Sequence, residues 1–496
     1  MRLQFPENLD GQFLMGSPAE EISDRLLAQG AKPKNVSGLS FLAFDPLKIV
    51  AVRDANGQEI GALLGTPIDR HQGLIDDEYT IDAPLTPDVD AFVETYIYSL
   101  TGSFIFVLAT GEAQRVYLDA CGSLSLVYDP VRRCVASTST LLLHGDELEA
   151  RFDSALYDHL RVERDGWFTA GLTAHSGIKR LLPNFYLDLS DFTTARHWPM
   201  RPIEPASDPI DACRVLLDTT RITTRHLVAG ASASVALTAG NETRMILAAC
   251  KDFARNLCFV TVDADTTSSD IDIVHSSSIA KKFHLNHELI QIAMADEAAA
   301  DEWRSRSGYC FGGPHIYTHP TVAALKSRRF FVGGLGGEIG RAFLWRPGDT
   351  PSTKLDAEGI TARLGMPISD KVVDAVRDWL DNTQGFDALT TLDLAYLELR
   401  MGCWGFASAY GDYSPIDIHP LISRSSFTAM MSLPADWRIM HERTNKMIVE
   451  TVRLGWPEIL EFPINRYGDH RDRFSRLRRV VAQPHLAIKR LRKRFG

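Results

Sequence analysis

The chain has 496 residues, of which 45% are hydrophobic and 23% charged, with a net charge of −10. That length exceeds what one core supports and implies two domains; the acidic balance excludes a surface built to coat nucleic acid, and no specific nucleic-acid partner is expected. No apolar run is long enough to span a bilayer and no charged-then-apolar leader opens the chain, so a cytoplasmic protein is expected, and the 7 cysteines, never in CxxC spacing, read as reduced packing residues.

Residues 1–143 carry short apolar or alternating runs bounded by turn signals, at 47–52, 103–109, 115–120, 124–128 and 134–138, which predict strands. With helices predicted at 20–29, 89–99 and 153–162, residues 1–200 read as an α+β sandwich. The proline-rich HWPMRPIEPASDP at 197–209 reads as a linker. Beyond it come a helix at 210–227 and a buried strand at 233–237, then strands at 257–262 and 287–292 alternating with helices at 245–253 and 270–283. Strand, helix, strand, helix predicts an α/β domain with a parallel sheet over 210–465. Ligands of such sheets lie beyond the carboxyl ends of the strands, where Thr238 and Asp263 fall. A further strand at 329–332 precedes a helical part with helices at 370–382, 389–400, 426–432 and 437–454.

The stretch LTAGNETR at 237–244 joins a buried strand to a helix through small residues. Such a turn leaves backbone N–H groups and the positive helix end facing outward, where a phosphate chain can sit. Gly240 permits close backbone approach, and the hydroxyls of Thr238 and Thr243 can donate to phosphate oxygens. Glu242 repels phosphate unless a cation lies between, so the turn implies Mg-ATP or pyrophosphate. It is neither GxxxxGK[ST] nor GxGxxG, which removes the P-loop kinase and Rossmann readings. After the strand at 329–332 the run GGLGGEIGRAF places glycines and a second acid, Glu338, at another strand end.

LTAGNETR resembles the SGGxDS pyrophosphate loop of the asparagine synthetase family, and GGLGGEIGRAF its SGxGxDExFxGY segment, with Gly334, Gly336 and Glu338 at the G, G and D positions. Upstream, GSFIFV, RVYLDACGSLSLVYD, CVASTSTLLL and GIKRLLPNFYLDLS with RHW resemble segments of the family's amino-terminal-nucleophile glutaminase domain. Downstream, IHPLISRSSFTAMMSLPADW and RTNKMIVETV with WPEIL resemble its later segments. The resemblance implies a nucleophile-hydrolase-like sandwich over 1–200 and an adenine-nucleotide α-hydrolase-like (PP-loop) domain over 210–465. It implies a ligase that adenylates a carboxylate with ATP and Mg²⁺, releases pyrophosphate and passes the acyl group to an amine.

By the same resemblance, Leu237, Val262 and Gly334 line the adenine and ribose, while Thr238, Gly240, Asn241, Thr243 and Gly333 belong to the ATP and pyrophosphate site. Glu242 and Glu338 hold Mg²⁺, and Lys446 stabilises charge at the reacting centre, against the alternative of a surface pair with Glu442 or Glu450. Glutaminases of this type attack with a cysteine that begins the mature chain. Here the chain begins Met1-Arg2-Leu3 and the nearest cysteine is Cys121, so the fold is expected without that activity, as in β-lactam synthetases and lasso-peptide cyclases. The partners expected are a small-molecule or polymer carboxylate and an amine or ammonia. The alternatives are a non-catalytic scaffold, to which Leu335 at a substrate-facing glutamate position adds weight, and asparagine synthesis from aspartate and ammonia.

The stretch 466–496 is strongly basic with apolar residues interleaved, and reads as a peripheral anchor on anionic membrane or polymer, or as a solvated basic cap. His315 and His319 are bracketed by Pro314 and Pro320 and read as loop or pocket residues, and the acid run 296–302 as a solvated helix face.

Overall fold

The computed structural model describes residues 1–496 except 231, 326–327, 408, 412–414, 470 and 473–496. The basic stretch therefore lies mostly outside the described residues. The architecture is mixed α/β, with two sheet-containing regions and a helical carboxyl-terminal part.

The first region stacks two sheets, antiparallel throughout except where Ile49–Arg53 pairs in parallel with Tyr79–Thr80. One runs in the order Lys179–Arg180, Val127–Asp129, Cys134–Ala136, Phe13–Met15, Leu39–Ala43, Lys32–Val36. The other is eight-stranded and centred on Thr101–Ala109 paired with Glu59–Asp69. Side chains alternate along Thr101–Ala109, so Ile105 and Val107 join the core shared with the first sheet. Phe104, Phe106 and Leu108 face the opposite way, onto Phe92, Val93 and Ile97 of the helical turns Val89–Phe92 and Val93–Ile97. Both faces are covered, which is why this strand reads as one unbroken apolar run.

The second region holds a five-stranded, wholly parallel sheet: β1 (Ala233–Ala236), β2 (Cys258–Asp263), β3 (Asn286–Gln291), β4 (Phe330–Val332) and β5 (Ile416–Ile418). The spatial order is β3-β2-β1-β4-β5. The chain winds outward from β1 in one direction, returns, and winds outward in the other. Such a reversal, here between β1 and β4, is where ligands of parallel sheets bind as a rule, beyond the carboxyl ends of the strands.

The helical part corrects two expectations. The helix Ala388–Ala395 continues as a π-helical segment, Tyr396–Gly405, rather than ending at residue 400. The single helix expected at 437–454 is instead Ala435–Arg438 and Lys446–Gly455, separated by a turn in which His441 pairs with Thr444 and Glu442 takes a left-handed φ of 57°. Asn445 restarts the helix by accepting the Ile448 N–H at 3.0 Å. The π segment also joins the regions. Its Glu398 is fully buried and takes both prongs of Arg196 at 2.7 Å, the Trp379 indole at 2.6 Å and the Asn184 amide at 3.0 Å.

Candidate functional site

The loop after β1 and the loop after β4 pack against each other at the carboxyl ends of their strands. In the first, Gly240 precedes the helix Asn241–Ala249, which starts earlier than the expected 245–253 and so brings Asn241, Glu242 and Thr243 into its first turn. The Thr238 and Thr243 hydroxyls lie 2.9 Å apart; the Thr238 N–H donates to the Thr243 hydroxyl at 3.2 Å and the Gly240 N–H to the Thr238 hydroxyl at 3.0 Å. The Ala239 N–H donates to Asp272 at 2.8 Å, and burial raises that carboxyl above its ordinary range. The hydroxyls thus order the turn that they were expected to lend to phosphate.

In the second loop the glycines are needed for contact with Glu242. A Cβ at Gly334 would come 2.9 Å from the Glu242 Cβ, and one at Gly337 would come 2.7 Å from its Cγ. At Gly333 a Cβ would meet the His419 ring at 2.5 Å, so only glycine admits these neighbours. Gly336 carries a φ of +99° and donates its N–H to Glu338 at 3.0 Å.

Glu242 and Glu338 are brought together, with Arg341 between them. Arg341 Nε lies 2.8 Å from Glu242 Oε1 and Nη2 lies 3.2 Å from Glu338 Oε1. Burial pushes the Glu242 carboxyl up to about 7, with Arg341 pulling it back and Glu338 adding to the push. Its Oε1 and the Arg341 Nε each lack a partner of hydrogen-bond geometry, so the contact is one of charge. As arranged, the acids do not offer an open donor set to magnesium, because a guanidinium lies against both. Among the described residues no group of three or more His, Cys, Asp or Glu could hold a metal ion.

The turn before Lys446 ties the two loops together. Asn241 Nδ2 donates to the Arg443 carbonyl at 2.9 Å, and Asn445 Nδ2 to the Gly340 and Arg438 carbonyls at 2.8 Å. Arg438 donates to the Ile339 carbonyl at 2.6 Å and pairs with the buried Asp393 at 2.7 Å. Lys446 follows directly, with its side chain 55% exposed and its ammonium paired with Asp436 at 2.5 Å, rather than with Glu442 or Glu450. A strap crosses the first loop as well: Arg244, itself buried, donates to the Phe462 and Pro463 carbonyls at 2.5 Å, and the Asn465 N–H to the Ala239 carbonyl at 3.1 Å.

Of the expected adenine-side residues, Leu237 is fully buried, so only its backbone remains for a ligand, and that backbone already takes the Thr261 hydroxyl at 2.6 Å. Val262, near the end of β2, is 41% exposed. His315 and His319 sit in a short helix and the 3-10 turns after it, against Phe311 and Trp303 respectively. The acid run is more than a solvated face, since Glu302 accepts the Glu7 and Asn8 N–H groups at 3.0 and 2.9 Å. All seven cysteines are buried, and burial raises each thiol above its ordinary range, Cys121 well above it. Sequence reading missed Arg341, Asp272, Asn445 and the strap. The one available signal was the three-residue spacing of Glu338 and Arg341, which reads as an ordinary surface pair.

No protein-family model matches the chain, and no curated protein does. Solved structures that match include NMN synthetase from Francisella tularensis, at 10% identity over 39% of this chain and 93% of that one, with a TM-score of 0.20. Another is the glutamine phosphoribosylpyrophosphate amidotransferase from B. subtilis, at 11% identity over 66% of this chain and 77% of that one, with a TM-score of 0.19. Superpositions so loose carry no weight here; strand order and register define the fold.

Proposed function

We propose that the chain is an ATP-consuming ligase that activates a carboxylate as an acyl-adenylate and passes it to an amine. The supporting observation is the pairing of the 237–243 and 333–338 loops at the carboxyl ends of β1 and β4, where the strand order of the parallel sheet reverses. In this reading the nucleotide lies beyond the carboxyl ends of the strands. Its base rests on the apolar surface at Val262, and its polyphosphate at the amino end of the helix Asn241–Ala249, beside Thr238, Gly240, Thr243, Gly333 and Gly334.

A substrate carboxylate oxygen attacks the α-phosphorus, the bond to the bridging oxygen breaks, and pyrophosphate leaves with that electron pair. The amine then attacks the acyl carbon, AMP departs, and the amine's surplus proton passes to solvent. Lys446 exchanges Asp436 for the charge that develops on the phosphate or the tetrahedral adduct. No thiol is assigned a role, which fits seven cysteines whose thiols burial keeps protonated, so the amine comes as free ammonia or on a substrate.

A second reading has its own observation. The Ala239 N–H is taken by Asp272, a carboxylate where an anionic ligand would lie, which favours a scaffold that no longer turns over. Exchange of labelled pyrophosphate into ATP separates the two, screened first with aspartate, then with small-molecule and polymer fractions of the source cell. Exchange dependent on one fraction establishes adenylation, and dependence on aspartate selects asparagine synthesis. No exchange, together with no nucleotide binding, leaves the scaffold.

A further inference from the structure

We propose that Arg341 is a tethered cation holding the place of a divalent metal between Glu242 and Glu338, so that the site meets polyphosphate with a guanidinium rather than with a protein-held ion. The polyphosphate half of this rests on the nucleotide reading above; the metal half does not. Magnesium takes oxygen ligands at about 2.1 Å in a near-octahedral shell. A guanidinium nitrogen 2.8 Å from Glu242 Oε1 and another 3.2 Å from Glu338 Oε1 fill the space such an ion needs, so ion and arginine exclude each other.

The acids are not free to turn towards a second position. Glu242 is wedged against Gly334 and Gly337, with room only because neither has a Cβ, and Glu338 gives its other oxygen to the Gly336 N–H at 3.0 Å. The backbone that carries Arg341 is held too, in the turn Ile339–Arg341, through the bonds to the Ile339 and Gly340 carbonyls. A guanidinium has five N–H donors. Here Nε and Nη2 face the acids, Nη1 donates no hydrogen bond among the described residues, and the side chain keeps 22% of its surface exposed. A fork anchored on one side and open on the other is suited to phosphate oxygens, and unlike a metal it needs no recruitment.

The test uses the full chain. Manganese, titrated without nucleotide and followed by electron paramagnetic resonance, is expected to find no stoichiometric site on the wild type. Arg341→Met, which leaves two unpaired glutamates, is expected to gain one and bind at least about tenfold tighter. A stoichiometric manganese site on the wild type overturns the proposal, and so does a folded Arg341→Met that gains none. Pyrophosphate binding by calorimetry gives the second arm. Wild-type affinity in EDTA is expected within about threefold of that in magnesium, while Arg341→Met loses about tenfold in EDTA and recovers it with metal. A collapse of wild-type binding in EDTA overturns the proposal even if Arg341→Met fails to fold by circular dichroism. If pyrophosphate and ATP bind in neither buffer, the nucleotide reading fails alone, and the manganese arm, read on Arg341→Gln should the Met variant not fold, still decides who holds the ion's place.

Discussion

Two acids, the buried Asp119 and the partly buried Glu242, one in each region, show how differently the regions use their polar groups. Asp119 follows the strand Gln114–Leu118 in the first region and is surrounded by donors: the N–H groups of Phe104 at 3.3 Å, Cys121 at 3.0 Å and Ser123 at 3.0 Å, and the Ser123 hydroxyl at 2.7 Å. Glu242 follows β1 in the second region and meets one guanidinium, without hydrogen-bond geometry. Burial raises both carboxyls, yet one is spent on folding a turn and the other keeps an oxygen without a hydrogen-bond partner. A parallel sheet whose order reverses leaves a crevice by construction.

The sharpest way to break this contrast is at the carboxylate that joins the regions. Glu398→Ala leaves Arg196, Trp379 and Asn184 without their common acceptor and is expected to cost about 3–5 kcal/mol, read as a lower urea midpoint with the two regions unfolding in separate steps. Asp119→Ala orphans a set of uncharged donors and is expected to cost about 3 kcal/mol.

Glu242→Gln tests the other side of the contrast and has the opposite sign. A carboxyl whose value rises from 4.5 to about 7 on folding favours the protonated form in the native state. Its contribution to stability is complete below pH 4.5 and is lost as pH rises through about 7. Glu242→Gln is therefore expected to melt several degrees above the wild type at pH 8, and the gap should close on acidification; a gap that widens on acidification refutes the assignment. The smallest stability effect belongs to Lys446→Ala. Its ion pair with Asp436 is exposed, so the melting midpoint should not move, whereas ATP–pyrophosphate exchange should fall by about 100-fold or more if the ammonium serves the reacting centre.

Much of the second region was legible because its physics is local. β1, β2 and β4 are buried apolar runs, and a small-residue turn between strand and helix marks a strand end wherever it occurs. The longest strand of the first region, Glu59–Asp69, carries Gly61, Gly65 and Pro67 and so resembles a turn-rich stretch. Its glycines are there because a Cβ at Gly61 would lie 2.1 Å from the Val107 carbonyl, and that partner strand is far away in sequence. The break in the expected helix 437–454 has the same origin, for it is fixed by Asn445 reaching the Gly340 carbonyl of the other loop. The paired glutamates could be read from the strand ends on which they sit. The arginine between them could not, because a contact across two loops leaves no pattern along either.

The strap over the first loop sets an order of events during synthesis. The loop is among the earliest parts of the second region to leave the ribosome, while Phe462, Pro463 and Asn465, which take Arg244 and hold Ala239, are among the last. A nascent chain that stops short of Phe462 carries all five strands of the parallel sheet and none of these three ties. The turn at 237–243 is thus begun early and finished late, and a half-made chain lacks the fastening that shapes it.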